Sequence, residues 1–167
     1  VKQLALGLLM YAQDYDEKFG CAGGYQGTAT TAPHWPMAVQ PYVKNTQVLI
    51  CPSNPRQGGA WVYWGQTHPV AENYAALQGL QYVSMATVAE PASKILIMDS
   101  CREAVPDWNR AQYATVCPSG TGCAGGVANR IPSKAPHNEG VNVGFVDGHV
   151  KWAKANGSAT PPNGWTS

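Results

Sequence analysis

The chain is short of charge. Asp, Glu, Lys and Arg make up 13% of its 167 residues, about half the roughly 25% of a typical soluble domain. Eleven basic side chains against ten acidic ones leave a net charge of +1. No basic field therefore invites nucleic acid or an anionic membrane, and no nucleic-acid partner is expected. Long apolar runs are missing as well. "LALGLLMYA", from Leu4 to Ala12, is about half the ~20 residues that a membrane span needs. The chain opens at Val1 with neither an initiator methionine nor a signal peptide, so the start of the gene product is expected to lie upstream, and any membrane contact with it.

Catalytic signatures are scarce too. There is no G-x-S-x-G, and "CPSN" and "CPSG" read as turns rather than as nucleophile elbows. "PRQGGAW" lacks the Lys-Ser/Thr of a nucleotide-binding loop. Five cysteines include no pair of C-x-x-C knuckles and no C-x-x-C-H, which argues against zinc and haem. No spacing singles out a carboxylate pair among the ten acids. The expectation is a protein without resident cofactor and without catalytic residues.

What the chain does have is glycine (18) and proline (13), which favour turns and loops. Cys117 and Cys123 bracket "CPSGTGC" and are spaced to close a local disulfide; an odd count leaves one thiol free or paired elsewhere. Disulfides fit an exported, extracellular protein.

Val1, Leu4, Leu8, Tyr11, Tyr15 and Phe19 recur at intervals of three and four, which predicts an amphipathic helix over 1–19. Gly20 would cap it, with Lys18 in the last turn. No capping residue precedes Val1, so the helix is expected to continue upstream. Trp35 to Val43 reads as a short helix or turn, Val48 to Cys51 as a brief strand, and Trp61 to Trp64 as an edge strand. "ENYAALQGL" fits a helical turn and an extended segment equally well. "SKILIMDS", Ser93 to Ser100, is the clearest buried strand. Periodicity vanishes between Cys101 and Pro136, as in an elaborated insertion. Residues 155–167 form a Ser/Pro-rich tail, expected to be flexible, with a sequon at Asn156.

The most ordered pattern is "HNEGVNVGFVDGHVKW". Val141, Val143 and Phe145 alternate with smaller or polar partners, and Asp147-Gly148 then predicts a two-residue hairpin with both central φ angles positive. Two readings compete for His137, Asp147 and His149. As a metal or acid–base site, with His137 and Asp147 at its centre, they would have to converge. Strand alternation separates them, so the favoured reading is structural. Asp147 would bond its own turn, and His137 would donate to a carbonyl or carboxylate that pins the entering loop. A carbohydrate platform at Trp61 and Trp64 is a further alternative.

The segment His137, nine intervening residues, then Asp147-Gly148 resembles the His-x(9)-Asp-Gly motif of the prepilin-type, processing-associated pilin-like proteins. Three more segments match that family's pattern in order: "VKQLALGLLMYAQDYDEKF", "WPMAVQPYVKNTQVLICPS" and "SKILIMDS". The resemblance spans Val1 to about Lys154. It implies an α+β pilin-like fold, with an N-terminal amphipathic helix packed on an antiparallel sheet with long loops. The domain would cover 1–154: residues 1–19 as the lower half of a pilin spine, 21–154 as the globular head. It also implies export by type IV pilus or type II secretion machinery and self-assembly into extracellular filaments. Leu4, Leu8, Tyr11 and Tyr15 would be the assembly residues. His137, Asn142, Asp147 and Gly148 would form a structural motif, with Phe145, Val150 and Trp152 packed under the helix. A structural calcium ion, as some pseudopilins carry, is a secondary expectation, and a cysteine upstream of Val1 would account for the odd count.

Overall fold

A computed structural model describes residues 1–22, 33–53, 61–63, 66–68, 73–99, 104–105, 137–138 and 140–154. The predicted Cys117–Cys123 disulfide, the 101–136 insertion except Ala104–Val105, which forms a short strand, and the 155–167 tail lie outside these residues.

Helix α1 runs over Lys2–Asp14, about 20 Å at 1.5 Å per residue. Its inner face buries Leu4, Ala5, Leu8, Tyr11 and Ala12. The helix stops five residues before the end predicted from spacing. Asp16 and Glu17 adopt positive φ (55° and 56°), and the acids Asp14, Asp16 and Glu17 crowd the negative end of the helix dipole, where acidic side chains are unfavourable. Tyr15 turns outward, 56% exposed, with its ring stacked on that of Tyr11 at 4.3 Å. Phe19 is buried all the same. The chain returns it to the core by backbone bonds, Phe19 N–H to the Val83 carbonyl (3.1 Å) and Tyr82 N–H to the Phe19 carbonyl (2.9 Å). Gly20 is therefore no helix cap; it lets the backbone pass the Tyr11 ring, 2.9 Å from where a Cβ would stand.

Two four-residue helices follow, α2 (Trp35–Ala38) and α3 (Gln40–Val43), each with Pro in its first turn, where a missing N–H costs nothing. The strand expected at Val48 to Cys51 is instead a 3-10 turn, Thr46–Leu49, whose Gln47 N–H donates to the Asn45 side-chain oxygen (2.9 Å). Asn45 as a cap outweighs the extended preference of its neighbours. The hairpin β1 (Trp61–Tyr63) and β2 (Gln66–His68) forms a two-stranded sheet of its own.

The main sheet holds β3 (Tyr74–Leu77), β4 (Ile95–Asp99), β5 (Ala104–Val105), β6 (Gly140–Phe145) and β7 (Val150–Lys154) in the order β5-β3-β4-β6-β7. Four of these pair antiparallel; the two-residue β5 runs parallel to β3. The architecture is α+β, a helix with an antiparallel sheet. "ENYAALQGL" resolves into β3 followed by a 3-10 turn, Gln78–Leu80. "ILIMD" is β4, buried along its whole length as expected of a continuous aliphatic run.

Helix and sheet meet at Gly144, where an added Cβ would lie 3.1 to 3.2 Å from Ile97, Ala5 and Val1. A side chain there would force these neighbours apart by a few tenths of an ångström. Because strand side chains alternate, Phe145 points to the other face, where it is fully buried and stacks on His149 at 4.2 Å. Neither Phe145 nor Trp152 packs under α1. Trp152 is 50% exposed; its indole lies across Gly140 and donates to the His137 carbonyl (2.8 Å).

The β6–β7 turn also differs from the two-residue form. Phe145 N–H donates to the His149 carbonyl (3.0 Å) and Gly148 N–H to the Phe145 carbonyl (2.9 Å), closing a three-residue loop. Of the two residues expected at positive φ, Gly148 alone has it, at 86°. That is the three-residue hairpin with glycine at the left-handed position.

Candidate functional site: a buried polar cluster and the outer face of the helix

Two features stand out against this scaffold. The first is a polar cluster where the ends of β3, β4 and β6 meet the Cys-Pro-Ser turn. Asp99, the last residue of β4, is 3% exposed. Its Oδ2 accepts the Asn142 backbone N–H (2.6 Å) and side-chain amide (2.9 Å), and lies 3.4 Å from His137 Nε2. The same His137 nitrogen lies 3.4 Å from Cys51 Sγ. Cys51 is anchored in turn, because its N–H donates to the Asn73 side-chain oxygen (2.8 Å). Asp99 Oδ1 is buried without a hydrogen-bond partner among the described residues.

Burial pushes the Asp99 carboxyl above the ordinary carboxylate range, against the Asn142 hydrogen bonds and the His137 ring, which pull it down. Tyr74 is raised too, first by burial and then by Cys51 and Asp99. The cluster thus ties four separated segments together around one poorly solvated carboxylate. It does not have the geometry of a catalytic triad, in which a base uses one ring nitrogen for the nucleophile and the other for its orienting acid. Here a single nitrogen faces both thiol and carboxylate.

The residues singled out from the sequence divide between two places. His137 and Asn142 belong to this cluster, both on Asp99. Asp147 and His149 sit apart at the hairpin, where Asp147 Oδ1 accepts the His149 backbone N–H (3.0 Å) and the His149 Nδ1 (2.5 Å). Slight burial raises the Asp147 carboxyl, but the His149 bonds and charge outweigh it and the net shift is downward. His137, Asp147 and His149 are not brought together. No group of three or more His, Cys, Asp or Glu is arranged to hold a metal ion among the described residues. Trp61 is in β1, its side chain outside the described atoms, and Trp64 lies outside the described residues.

Sequence reasoning missed Asp99 and Cys51. A carboxylate closing a wholly aliphatic strand was the available signal, since such a position is buried and needs donors. It also missed a buried histidine pair, His34 Nδ1 and His68 Nε2 at 3.0 Å, which no spacing relates.

The second feature is the outer face of α1. Leu4, Leu8 and Tyr11, expected to serve assembly, are consumed by the chain's own core; of that set Tyr15 alone is exposed. The free apolar side chains are Leu6 (44% exposed) and Met10 (48%). One turn apart, they sit mid-way across the solvent face, where a surface helix normally carries polar residues. Beside them runs a groove of about 280 Å³ between α1 and α3, lined by Leu6, Met10, Tyr42, Val43 and Val48 among others. Its far wall is tied to the helix by the Tyr42 hydroxyl, which donates to Asp14 (2.8 Å) and has its pKa pushed up to about 12 by that bond.

No family model, curated protein or solved structure matches this chain. No described helix is long and apolar enough to cross a membrane.

Proposed function

We propose that the chain is a structural subunit of an extracellular filament of the type IV pilus or type II secretion pseudopilus kind, self-assembling through its N-terminal helix. The observation that carries this reading is the exposed Leu6 and Met10 pair. The inner face of α1 already covers the sheet; Leu6 touches the β6–β7 turn at Gly148, yet it and Met10 still leave nearly half of their surface in water. Burying them against a neighbouring subunit would recover about 25 cal/mol per Å². An isolated exposed Leu is ordinary; two on adjacent turns, flanked by an apolar groove, are what a contact helix presents.

Three further points support the reading. Four sequence segments follow the pilin-like pattern in order, and a helix lies on an antiparallel sheet as that pattern implies. The polar residues of the His-x(9)-Asp-Gly segment are engaged in holding the sheet and its turn, which suits a structural motif rather than a catalytic one. Pilin-specific packing, export and an extracellular location belong to the proposal.

The test is electron microscopy of the exported protein and of its Leu6→Glu variant, with circular dichroism on both. Filaments from the unaltered protein, lost in a variant that keeps its melting temperature, are the expected outcome. Filaments formed equally by both would remove α1 from the assembly and with it the proposal.

A further inference from the structure

Asp147-Gly148 is the only Asp-Gly step in the chain, and such a step can rearrange without any enzyme. With no side chain on the following residue to stand in the way, the Gly148 nitrogen can attack the Asp147 side-chain carboxyl. The N–Cγ bond forms, and the amide proton and the carboxyl hydroxyl leave together as water. The cyclic imide then takes up water at one of its two carbonyls. One outcome restores aspartate; the other leaves isoaspartate, in which the backbone runs through the former side chain. Water is the only co-reactant.

The hairpin engages both partners of this reaction. The nucleophile is committed elsewhere, because Gly148 N–H donates to the Phe145 carbonyl (2.9 Å). The electrophile is held by His149: Asp147 Oδ1 accepts its backbone N–H (3.0 Å) and its Nδ1 (2.5 Å). The His149 ring is itself fixed by stacking on Phe145 at 4.2 Å. Ring closure needs nitrogen and Cγ in near-attack contact, so these bonds must be given up first. An ionised carboxylate is also the poorer electrophile. Slight burial raises the Asp147 carboxyl, but the His149 bonds and charge outweigh it and leave it lowered.

We propose that Asp147-Gly148 is a latent isomerisation site, and that His149 is the positioning residue that keeps it closed by fixing the carboxylate in its hydrogen-bonded orientation. This does not rest on the filament reading. The turn is docked on two sides, which gives the chemistry a structural consequence. Asp147 N–H donates to the Pro91 carbonyl (3.3 Å) and Val146 N–H to the Lys94 carbonyl (3.0 Å), on the segment leading into β4. On the other side, a Cβ built on Gly148 would lie 3.4 Å from Leu9 and 3.5 Å from Leu6 of α1. Isoaspartate adds a backbone methylene at this point, which displaces the turn against both neighbours.

Prolonged warm incubation of the purified protein tests this, with digestion and electron-transfer mass spectrometry to read isoaspartate at position 147. A site-resolved readout is needed because Asn156-Gly157 and Asn163-Gly164 cyclise by the same attack with loss of ammonia. The folded parent should convert more slowly than the same chain unfolded in urea. His149→Phe keeps a ring over Phe145 and removes the donor; it should convert about three- to tenfold faster than the parent, the effect of one lost hydrogen bond. His149→Asn returns a side-chain N–H beside the carboxylate and should stay near the parent rate. Circular dichroism checks that the variants fold, and His149→Ala replaces His149→Phe if the latter does not. A folded parent that converts as fast as the unfolded chain would overturn the proposal, and that comparison needs no variant. A folded His149→Phe or His149→Ala no faster than the parent would leave the protection to the backbone bonds and overturn the role of His149. So would a His149→Asn as fast as His149→Phe.

Discussion

Asp99 and Asn142 hold β4 to β6 through a single oxygen: both the backbone N–H and the side-chain amide of Asn142 donate to Asp99 Oδ2, at 2.6 and 2.9 Å. A carboxylate is a costly way to accept two neutral hydrogen bonds, since burial penalises its charge, and here burial is the largest influence on its titration.

That cost is measurable. The folded-state pKa of Asp99 is raised, so the stability it contributes is complete below the unfolded carboxylate pKa and is lost as pH rises through the folded value. Asp99→Asn keeps an acceptor for Asn142 and removes the charge. The melting temperature of the variant should therefore gain on that of the parent as pH is raised from acid to neutral. A variant that instead falls behind as pH rises would show that the His137 ring and the Asn142 bonds outweigh burial.

Asp147 should behave in the opposite sense. Its pKa is lowered in the fold, so its contribution is present above the ordinary carboxylate pKa and disappears as pH falls through the folded value. Asp147→Ala loses the acceptor for the His149 N–H, worth about 0.5 to 1.5 kcal/mol at neutral pH. The deficit should narrow on acidification, because the parent protein then loses the same interaction. A deficit independent of pH would place the role of Asp147 in turn conformation alone.

How far the sequence foretold these contacts depends on their range. The hairpin, the aliphatic strand and the inner stripe of α1 follow from periodicity over a few residues, and periodicity is a local property. Where α1 ends was misjudged because Tyr15 and Phe19 keep the helical spacing while the acids between them break the helix; Phe19 is buried from a loop rather than from a helix face. The polar cluster was half legible. His137 and Asn142 stood out in the motif, but Cys51 is 86 residues from His137, and that proximity is a product of strand order. The outer stripe of α1 was hidden by the inner one: Leu6 and Met10 sit in the same apolar run as Leu4 and Leu8, and only the position of the sheet separates core from surface.

Gly140 and Trp152 offer a test of the β6–β7 pairing. A Cβ at position 140 would overlap the indole of Trp152, which is anchored by its Nε1–H to the His137 carbonyl at 2.8 Å. Gly140→Ala should displace the ring, break that bond and cost about 1 to 3 kcal/mol, with a shift in tryptophan emission. Adding Trp152→Ala removes the obstruction, so the double variant should be more stable than the sum of the single effects predicts. Strict additivity would mean that the two residues do not oppose each other across the strands.

Leu8 and Leu6 separate the two faces of α1. Leu8 is 3% exposed within the main core, and Leu8→Ala should destabilise the fold by about 2 to 5 kcal/mol through lost burial and the cavity left behind. Leu6, at 44% exposure, lies on the opposite side with its tip against the Gly148 turn, and Leu6→Ala should cost no more than about 1 kcal/mol while weakening self-association. Urea unfolding of the two variants beside light scattering of each reads both quantities at once. If Leu6→Ala proved as destabilising as Leu8→Ala, the outer side chain would belong to the core, and α1 would have no free face to offer a second copy.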